Sequence, residues 1–357
     1  MDAFTTIAPL ANITTLVSSP AGVLCASGYR FKTLSGSRDY IRFITQVPLM
    51  LIIVPLGLAG NCLAFIVVGR ERPFTSTSIL IRALAVADSM VLLIEILRNT
   101  IRRMHYYVIL FNAYMEIFNM AYGYILAAFW FAKTASIYLT VCVAVERFIA
   151  VCRPLRAASL CTKRNAYIAV GCVFGGSLLY RIPLPLGFEV RWRYDPCVDR
   201  MRPRWGHSDL YDYSPIYNIG YIHTFDIVMM ACLPMTVLIA LTSNVLIALR
   251  APRKNTMLTN SGKPSEQTSS ATKRVMAVVI TFIMLESLGI PYEIVSILDD
   301  FFIPDQISDW QQHLYYLSYF LTILNCFINF FVYFATGRAF RRGLMELLHL
   351  RKSNTPN

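Results

Sequence analysis

Seven times between residues 43 and 335 the chain turns apolar for long runs: 43–69, 78–100, 118–145, 166–187, 216–249, 272–298 and 312–335. A helix crossing ~30 Å of hydrocarbon needs roughly 20 such residues. Inside lipid no water satisfies a backbone N–H or C=O, so continuous runs of this length stand as helices. Charges interrupt the second, third and sixth runs, yet each is too long and too apolar for a loop. Composition agrees, with 56% of residues hydrophobic and only 15% charged, where soluble domains carry about a quarter. The expected fold is all-α: an outer tail at 1–42, a seven-helix membrane bundle at 43–335, and an amphipathic helix with a short inner tail at 336–357.

Charge sets the orientation. Segments 70–72, 153–164, 250–274 and 338–352 hold 17 Lys/Arg and three acids, Glu71, Glu266 and Glu346, while the alternate segments are close to neutral. Basic loops stay in the cytosol, which puts the amino terminus outside and the carboxyl end inside. The net charge of +12 does not point to nucleic acid, because the basic residues form no stripe with interleaved aromatics. The first 40 residues lack an apolar core segment, so no cleavable signal peptide is expected and the first span would direct targeting. The one Asn-x-Ser/Thr sequon, at Asn12, falls in the outer tail and is open to glycosylation. Of nine cysteines only Cys25 and Cys197 lie outside. Two cysteines in an oxidising compartment suggest one disulfide, the alternative being two unpaired thiols. Residues 250–272 read as a flexible Ser/Thr-rich loop. After the last span, Phe340, Leu344, Leu347 and Leu348 share one face and Arg338, Arg341 and Arg342 lie elsewhere, as in a helix resting on the inner lipid surface.

Ionisable groups inside a span cost several kcal/mol unless partnered, so each is a functional candidate. They are Asp88, Glu95, Lys133, Asp226, Glu286 and Glu293, with Glu146-Arg147 at an inner boundary. Asp88 should share its depth with Asn61, Ser136, Asn325 and Asn329. That set suits a small cation or proton exchange, or an interhelical hydrogen-bond cluster that only joins helices. Glu95, Asp226 and Glu293 lie in outer halves, with Lys133 near Phe129 and Trp130. Facing inward they would line an acidic cup for a cationic ligand; alternatively Lys133 pairs with an acid internally and little net charge remains. No HExxH, GxSxG, P-loop or metal-spaced His/Cys pair occurs, so neither enzymatic chemistry nor a cofactor is expected. No internal repeat supports a transporter of duplicated halves.

"VERFIAVCRPL" from Val145, together with Gly60-Asn61, "LAVAD" ending at Asp88, Pro234, Pro291 and "NFFVY" from Asn329 to Tyr333, resembles the rhodopsin-like G-protein-coupled receptors. "TASIYLTVCVAVERFIAVCRPLRAASLCT", "IPLPLGFEV" and "INFFVY" are similar to the FMRFamide-type neuropeptide receptors of invertebrates, and neighbouring receptors for myosuppressins share parts of them. The resemblance implies a plasma-membrane receptor for an extracellular amidated peptide, with a heterotrimeric G protein, and arrestin, as inner partners. It implies that Glu146 restrains Arg147 at rest, that Asp88, Ser136, Asn325 and Asn329 hold an allosteric sodium ion, and that Tyr333 rearranges on activation. The peptide's arginine would meet Glu95, Asp226 or Glu293, and its terminal aromatic Phe129 and Trp130. The departures are informative. Tyr122 stands where the third helix usually carries cysteine, leaving Cys25 as the candidate partner of Cys197. Gly289 replaces the usual sixth-span Trp, and Phe330 the seventh-span Pro. Lys273 and Arg274 occupy the inner end of the sixth span in place of an acid, so raised basal signalling is expected. Phe129 excludes the amine receptors, which need an acid there, and Ile323 excludes the opsins, which need a lysine. The competing readings are a receptor for a non-peptide ligand and a seven-helix ion-coupled transporter using Asp88 and Glu286.

Overall fold

The computed structural model describes residues 17–18, 24–26, 29–31, 43–71, 73–104, 112–195, 199–250, 266–291, 295 and 308–347. Its long helices are α1 (Pro48–Arg70), α2 (Ser76–Glu95), α3 (Asn112–Cys152), α4 (Lys163–Arg181), α5 (Leu233–Arg250), α6 (Glu266–Ser287) and α7 (Ser308–Thr336), followed by the shorter α8 (Arg338–Leu347). Wide π turns extend α2 outward at Ile96–Ile101 and precede α5 at Ile216–Phe225 and Val228–Cys232. Five stretches are long and apolar enough to cross a membrane by themselves: Phe43–Arg70, Tyr114–Cys152, Lys163–Gly187, Ile216–Arg250 and His313–Thr336. α2 carries Arg82, Asp88 and Glu95, and the apolar part of α6 is Val275–Ser287. Both nevertheless take their places: α2 packs along α1 and α3, and α6 along α5 and α7. The fold is an all-α seven-helix bundle with an amphipathic eighth helix.

Local chemistry sets the helix ends. At the start of α2, Ser78 N donates to Thr75 Oγ1 (3.3 Å) while Thr75 N donates to Ser78 Oγ (3.4 Å). This reciprocal cap satisfies two of the orphan donors of a helix start. Thr162 accepts from Asn165 N (3.2 Å) at the start of α4. The regular part of α6 ends at Ser287, where Gly289 N turns back to Glu286 O (3.0 Å) just before Pro291. A proline ring clashes with the carbonyl four residues behind it, so the helix cannot pass through undisturbed.

Two glycines set how closely α1 packs on its neighbours. A Cβ on Gly57 would lie 2.8 Å from Leu92 Cδ1, and one on Gly60 would lie 2.9 Å from Phe330 Cβ. Their bare backbones let α1 approach α2 and α7, as small residues do in membrane bundles. Phe330 therefore lies over Gly60, and α7 continues unbroken to Thr336 through the position where a proline was missing from the sequence. Beyond it, Phe340 of α8 is fully buried 5.8 Å from Phe330 and 5.9 Å from Tyr333. Arg341 Nη1 donates to Phe334 O (2.9 Å) and Ala335 O (2.8 Å), satisfying carbonyls that the end of α7 leaves open. Leu344 is buried on the same face.

Two small sheets accompany the helices. β1 (Val17–Ser18), β2 (Leu24–Ala26) and β3 (Tyr29–Phe31) form an antiparallel meander. β4 (Phe188–Asp195) and β5 (Arg200–His207) form an antiparallel hairpin, with Phe188 opposite His207 and Asp195 opposite Arg200. Aromatic rings join this hairpin to α3. Tyr122 stacks on Trp205 at 4.0 Å and 10°, Phe188 meets Tyr122 edge-on at 5.2 Å, and Asn119 Nδ2 donates to Pro203 O (3.0 Å). The hairpin's arginines are largely neutralised nearby: Arg200 and Arg202 lie 2.5 and 3.3 Å from Glu116, and Arg204 lies 3.6 Å from Asp195. Tyr122 thus supplies a non-covalent attachment where the resembled family has a cysteine. Asn12, Cys197, Glu293 and Leu348 lie outside the described residues, as does the side chain of Cys25.

Tyr122→Ala and Trp205→Ala each lower the melting temperature of the purified, detergent-solubilised protein. A double-mutant cycle between them returns a coupling of about 0.5–1.5 kcal/mol, the worth of one aromatic pair beyond its buried area. Additive losses would show that the stack contributes nothing specific.

Candidate functional site

Charged and polar residues occupy three depths of the bundle. In the outer half, Asp226 sits between the two π turns that precede α5. Tyr180 Oη donates to its Oδ1 (2.6 Å), and Arg181 Nη1 lies 2.6 Å from the same oxygen. Arg181 belongs to the last turn of α4, yet it is only 4% exposed. Its Nε donates to Thr134 Oγ1 (3.2 Å) on α3, and its guanidinium lies 5.2 Å from the Trp130 ring and 4.2 Å from the Tyr180 ring. Sequence reasoning missed Arg181, because an arginine at a span end usually snorkels to the interface. Asp226, well inside the neighbouring span that begins at Ile216, was the available signal.

Lys133 of α3 is 3.6 Å from Glu286 of α6, donates to Thr322 Oγ1 of α7 (3.1 Å), and lies 5.3 Å from the Trp130 ring. Its ammonium is thus paired internally, with Glu286 as the acid. Glu95 is fully buried and accepts from Asn99 Nδ2 (3.3 Å), with Arg98 Nη2 at 4.0 Å. The Arg98 guanidinium lies 4.1 Å over Phe129 and 5.3 Å from the Tyr319 ring, while Arg102 Nη2 donates to Asn99 Oδ1 (3.2 Å). Arg98, Asn99 and Tyr319 join Glu95 and Phe129 without having been singled out in the sequence. Among the six expected ligand residues, the structure brings Glu95 near Phe129 through Arg98, and Trp130 near both Lys133 and Arg181.

At mid-depth Asp88 accepts from Ser136 Oγ (2.5 Å) and from Asn329 Nδ2 (2.7 Å). Asn61 Nδ2 donates instead to Cys326 O (3.1 Å), and Asn325 Nδ2 to Glu286 Oε1 (3.4 Å). Asp88, Ser136 and Asn329 therefore meet, while Asn325 joins the Lys133–Glu286 pair. The Asp88 carboxylate and Ser136 hydroxyl are hard oxygen donors of the kind a small cation takes. Asn329 presents its amide nitrogen to that carboxylate, not its oxygen. Among the described residues no group of three His, Cys, Asp or Glu is placed to hold a metal ion.

At the inner boundary Glu146 and Arg147 are both buried, with Arg147 Nη2 3.3 Å from Glu146 Oε2. Each also reaches the first turn of α2: Ser76 Oγ donates to Glu146, and Arg147 Nη2 donates to Thr77 Oγ1. The positive end of the α2 dipole favours a carboxylate at this place. Ser76 also donates to Cys161 O (3.1 Å), tying in the inner loop. Burial raises the Cys161 thiol above its ordinary pKa, the Glu146 carboxylate adding to the effect. The sequence showed the pair but not its support, since nothing in "TSTS" distinguishes a helix cap from a docking site. Tyr333 is buried against Phe340, and the side chains of Lys273 and Arg274 lie outside the described residues. Nowhere among these groups is a nucleophile aligned with a base; the chemistry available is the making and breaking of polar contacts between helices.

The sequence pattern described as "7 transmembrane receptor (rhodopsin family)" matches residues 60–333. The chain is 28% identical over 307 residues to the FMRFamide receptor of Drosophila melanogaster, covering 83% of this chain and 52% of that protein. It is 25% identical over 317 residues to the FMRFamide peptide receptor frpr-18 of Caenorhabditis elegans, covering 84% and 68%. Human neuromedin-U receptor 2 is 26% identical over 265 residues, covering 70% and 61%. The chain thus spans about half the length of the fly protein.

Arg181→Met leaves the Asp226 carboxylate without its cation and costs about 3–5 kcal/mol, as removal of one partner of a buried pair does. Combining it with Asp226→Leu recovers most of the loss in thermal melts of the purified protein. An equal loss in single and double variants would mean that Arg181 acts only by packing on Trp130 and Tyr180.

Proposed function

The chain belongs to the rhodopsin family of seven-transmembrane receptors, and from that premise we propose that it is a cell-surface receptor activated by an extracellular neuropeptide and signalling to heterotrimeric G proteins. The observation that carries the signalling half is the buried Glu146–Arg147 pair held on the first turn of α2. A charge pair closed on itself and on two hydroxyls has a defined resting state. An inner partner that offers Arg147 better acceptors defines the other. The ligand class follows from the relatives, two of which are receptors for FMRFamide or FMRFamide peptides.

The ligand-facing set is Glu95, Phe129, Trp130, Lys133, Asp226 and Glu293. The peptide's guanidinium enters at Glu293 or at Asp226. At Asp226 it takes the place of Arg181, an exchange in which the carboxylate is never left unpaired. Trp130, which borders both Arg181 and Lys133, receives the apolar part of the ligand. Asp88, Ser136, Asn325 and Asn329 would hold an allosteric sodium ion, Asp88 and Ser136 supplying hard oxygen donors, and such an ion would favour the resting arrangement. The amino terminus faces outward and the protein resides in the plasma membrane, with arrestin and lipid as further contacts.

Expression of the full chain with a promiscuous G protein and a panel of amidated peptides tests this reading. Peptides ending in Arg-Phe-amide elicit a response, and Asp226→Asn and Glu293→Gln each weaken potency about tenfold or more, equivalent to ~1.4 kcal/mol. Undiminished potency in both variants removes the proposed ligand contacts, and a response confined to peptides without a basic penultimate residue removes the ligand class. Separately, Thr77→Val, which takes a hydroxyl from Arg147 without adding bulk, raises ligand-free nucleotide exchange on the G protein several-fold. Unchanged basal exchange at equal surface expression would show that the α2 contact is not part of the restraint.

A further inference from the structure

Resting on the peptide reading above, we propose that the cluster at the outer π turn of α2 reads the C-terminal carboxamide of the ligand, with Arg98 and Tyr319 on its oxygen and Glu95 on its nitrogen. The starting observation is a deficit of acceptors. Arg98 and Tyr319 are 8% and 7% exposed, yet Arg98 Nε and Tyr319 Oη find no hydrogen-bond partner among the described residues. A buried donor left unpaired carries an uncompensated desolvation cost. Arg98 lies between two aromatic faces, Phe129 at 4.1 Å and Tyr319 at 5.3 Å, and neither replaces a hydrogen-bond acceptor. Among the described residues its anionic neighbour is Glu95, 4.0 Å away, which also takes the Asn99 amide. Arg181 Nη2 also lacks a partner among the described residues, but its guanidinium reaches both Asp226 at 2.6 Å and Thr134 at 3.2 Å, contacts that Arg98 does not match.

Glu95, Arg98 and Asn99 stand at i, i+3 and i+4, one face of a helix. The π turn at Ile96–Ile101 falls within that stretch, and such turns recur at functional sites. The charge beside the donors then selects the acceptor. A ligand carboxylate would satisfy Arg98 but would bring a second anion close to the buried Glu95, where like charges repel strongly in a medium of low dielectric. A carboxamide avoids this: its oxygen accepts from Arg98 Nε and Tyr319 Oη, and its NH2 donates to Glu95. The terminal aromatic side chain then lies against Phe129 and Trp130, whose own rings meet edge-on at 5.8 Å. Glu95 is in this way an acceptor for the end of the peptide and not a counter-ion for its arginine, which leaves Asp226 and Glu293 for the guanidinium.

The test uses membranes from cells expressing the full chain and two synthetic probes, Phe-Met-Arg-Phe-amide and the same tetrapeptide with a free carboxylate. The wild type binds the amide at least a hundredfold more tightly than the acid. Glu95→Gln narrows the gap to within tenfold by strengthening the acid. Tyr319→Phe, which removes only a hydroxyl, weakens the amide about tenfold, and Arg98→Gln weakens both probes. Surface expression is measured for each variant, and Tyr319→Phe keeps the test decisive if Arg98→Gln fails to fold. An amide-to-acid ratio unchanged in Glu95→Gln, together with unchanged amide affinity in Tyr319→Phe, overturns the site while leaving the peptide reading intact. A wild type that binds neither probe removes the ligand class, and this site with it. A wild type that prefers the acid replaces the carboxamide with a carboxylate.

Discussion

No charge in this bundle can turn to water for relief, and the whole arrangement follows from that. Helices in lipid gain little from burying one apolar face in preference to another, since hydrocarbon surrounds every face alike. What fixes their rotation is the small set of polar contacts that lipid cannot satisfy. Arg181 and Asp226 lock α4 to the π turns that lead into α5. Lys133, Glu286, Thr322 and Asn325 join α3, α6 and α7, while Asp88, Ser136 and Asn329 join α2, α3 and α7. Glu146 and Arg147 bind α3 to the first turn of α2. Rotating any helix from α2 to α7 by a residue would break at least one of these contacts and strand a charge at a cost of several kcal/mol. The glycines then determine how close the helices come, as Gly60 does beneath Phe330.

The outer face solves a different problem. A hairpin of basic strands must stay over the mouth of the bundle, and Tyr122 stacked on Trp205, with Phe188 on its edge, holds it there. Glu116 and Asp195 absorb much of the hairpin's positive charge, so the loop presents far less net charge than its composition suggests. An aromatic attachment can be released and re-formed; a covalent bridge at the same place would not permit that.

Much of this was legible before any coordinates. Seven runs, the Glu146-Arg147 pair and the polar set around Asp88 follow from hydropathy and from the scarcity of charge, because a membrane span leaves few positions at which an ionisable residue is incidental. The partners were harder to read. Arg181 sits where a span end normally snorkels, and only the fold shows that it turns inward. Glu286 was visible as a buried acid, but its pairing with Lys133 depends on the relative rotation of α3 and α6, which no single sequence encodes. The β4–β5 hairpin was not expected from the sequence although "EVRWRY" alternates strictly, because a period of two over six residues is a weak signal beside seven long apolar runs. The support of Ser76 and Thr77 for the latch is a long-range contact across 70 positions of chain, beyond the reach of local pattern.

The pairing rule also explains how such a bundle changes state without prohibitive cost. A ligand shifts a two-state equilibrium only by its difference in affinity for the two states. That difference is commonly a few kcal/mol, far less than the cost of exposing a charge to lipid. The route between states therefore has to be an exchange of partners, and three of the buried ions here have a second partner at hand. Asp226 has Tyr180 besides Arg181, Lys133 has Thr322 besides Glu286, and Arg147 has Thr77 besides Glu146. α3 passes through all three depths: Trp130 and Lys133 in the outer half, Ser136 in the middle, Glu146 and Arg147 at the inner end. At 1.5 Å per residue, Lys133 and Arg147 stand about 20 Å apart on one rigid rod. A small rotation of that rod that improves a contact at one end must trade partners at the other, and the hydroxyls beside each ion keep the intermediate arrangements from leaving any charge bare.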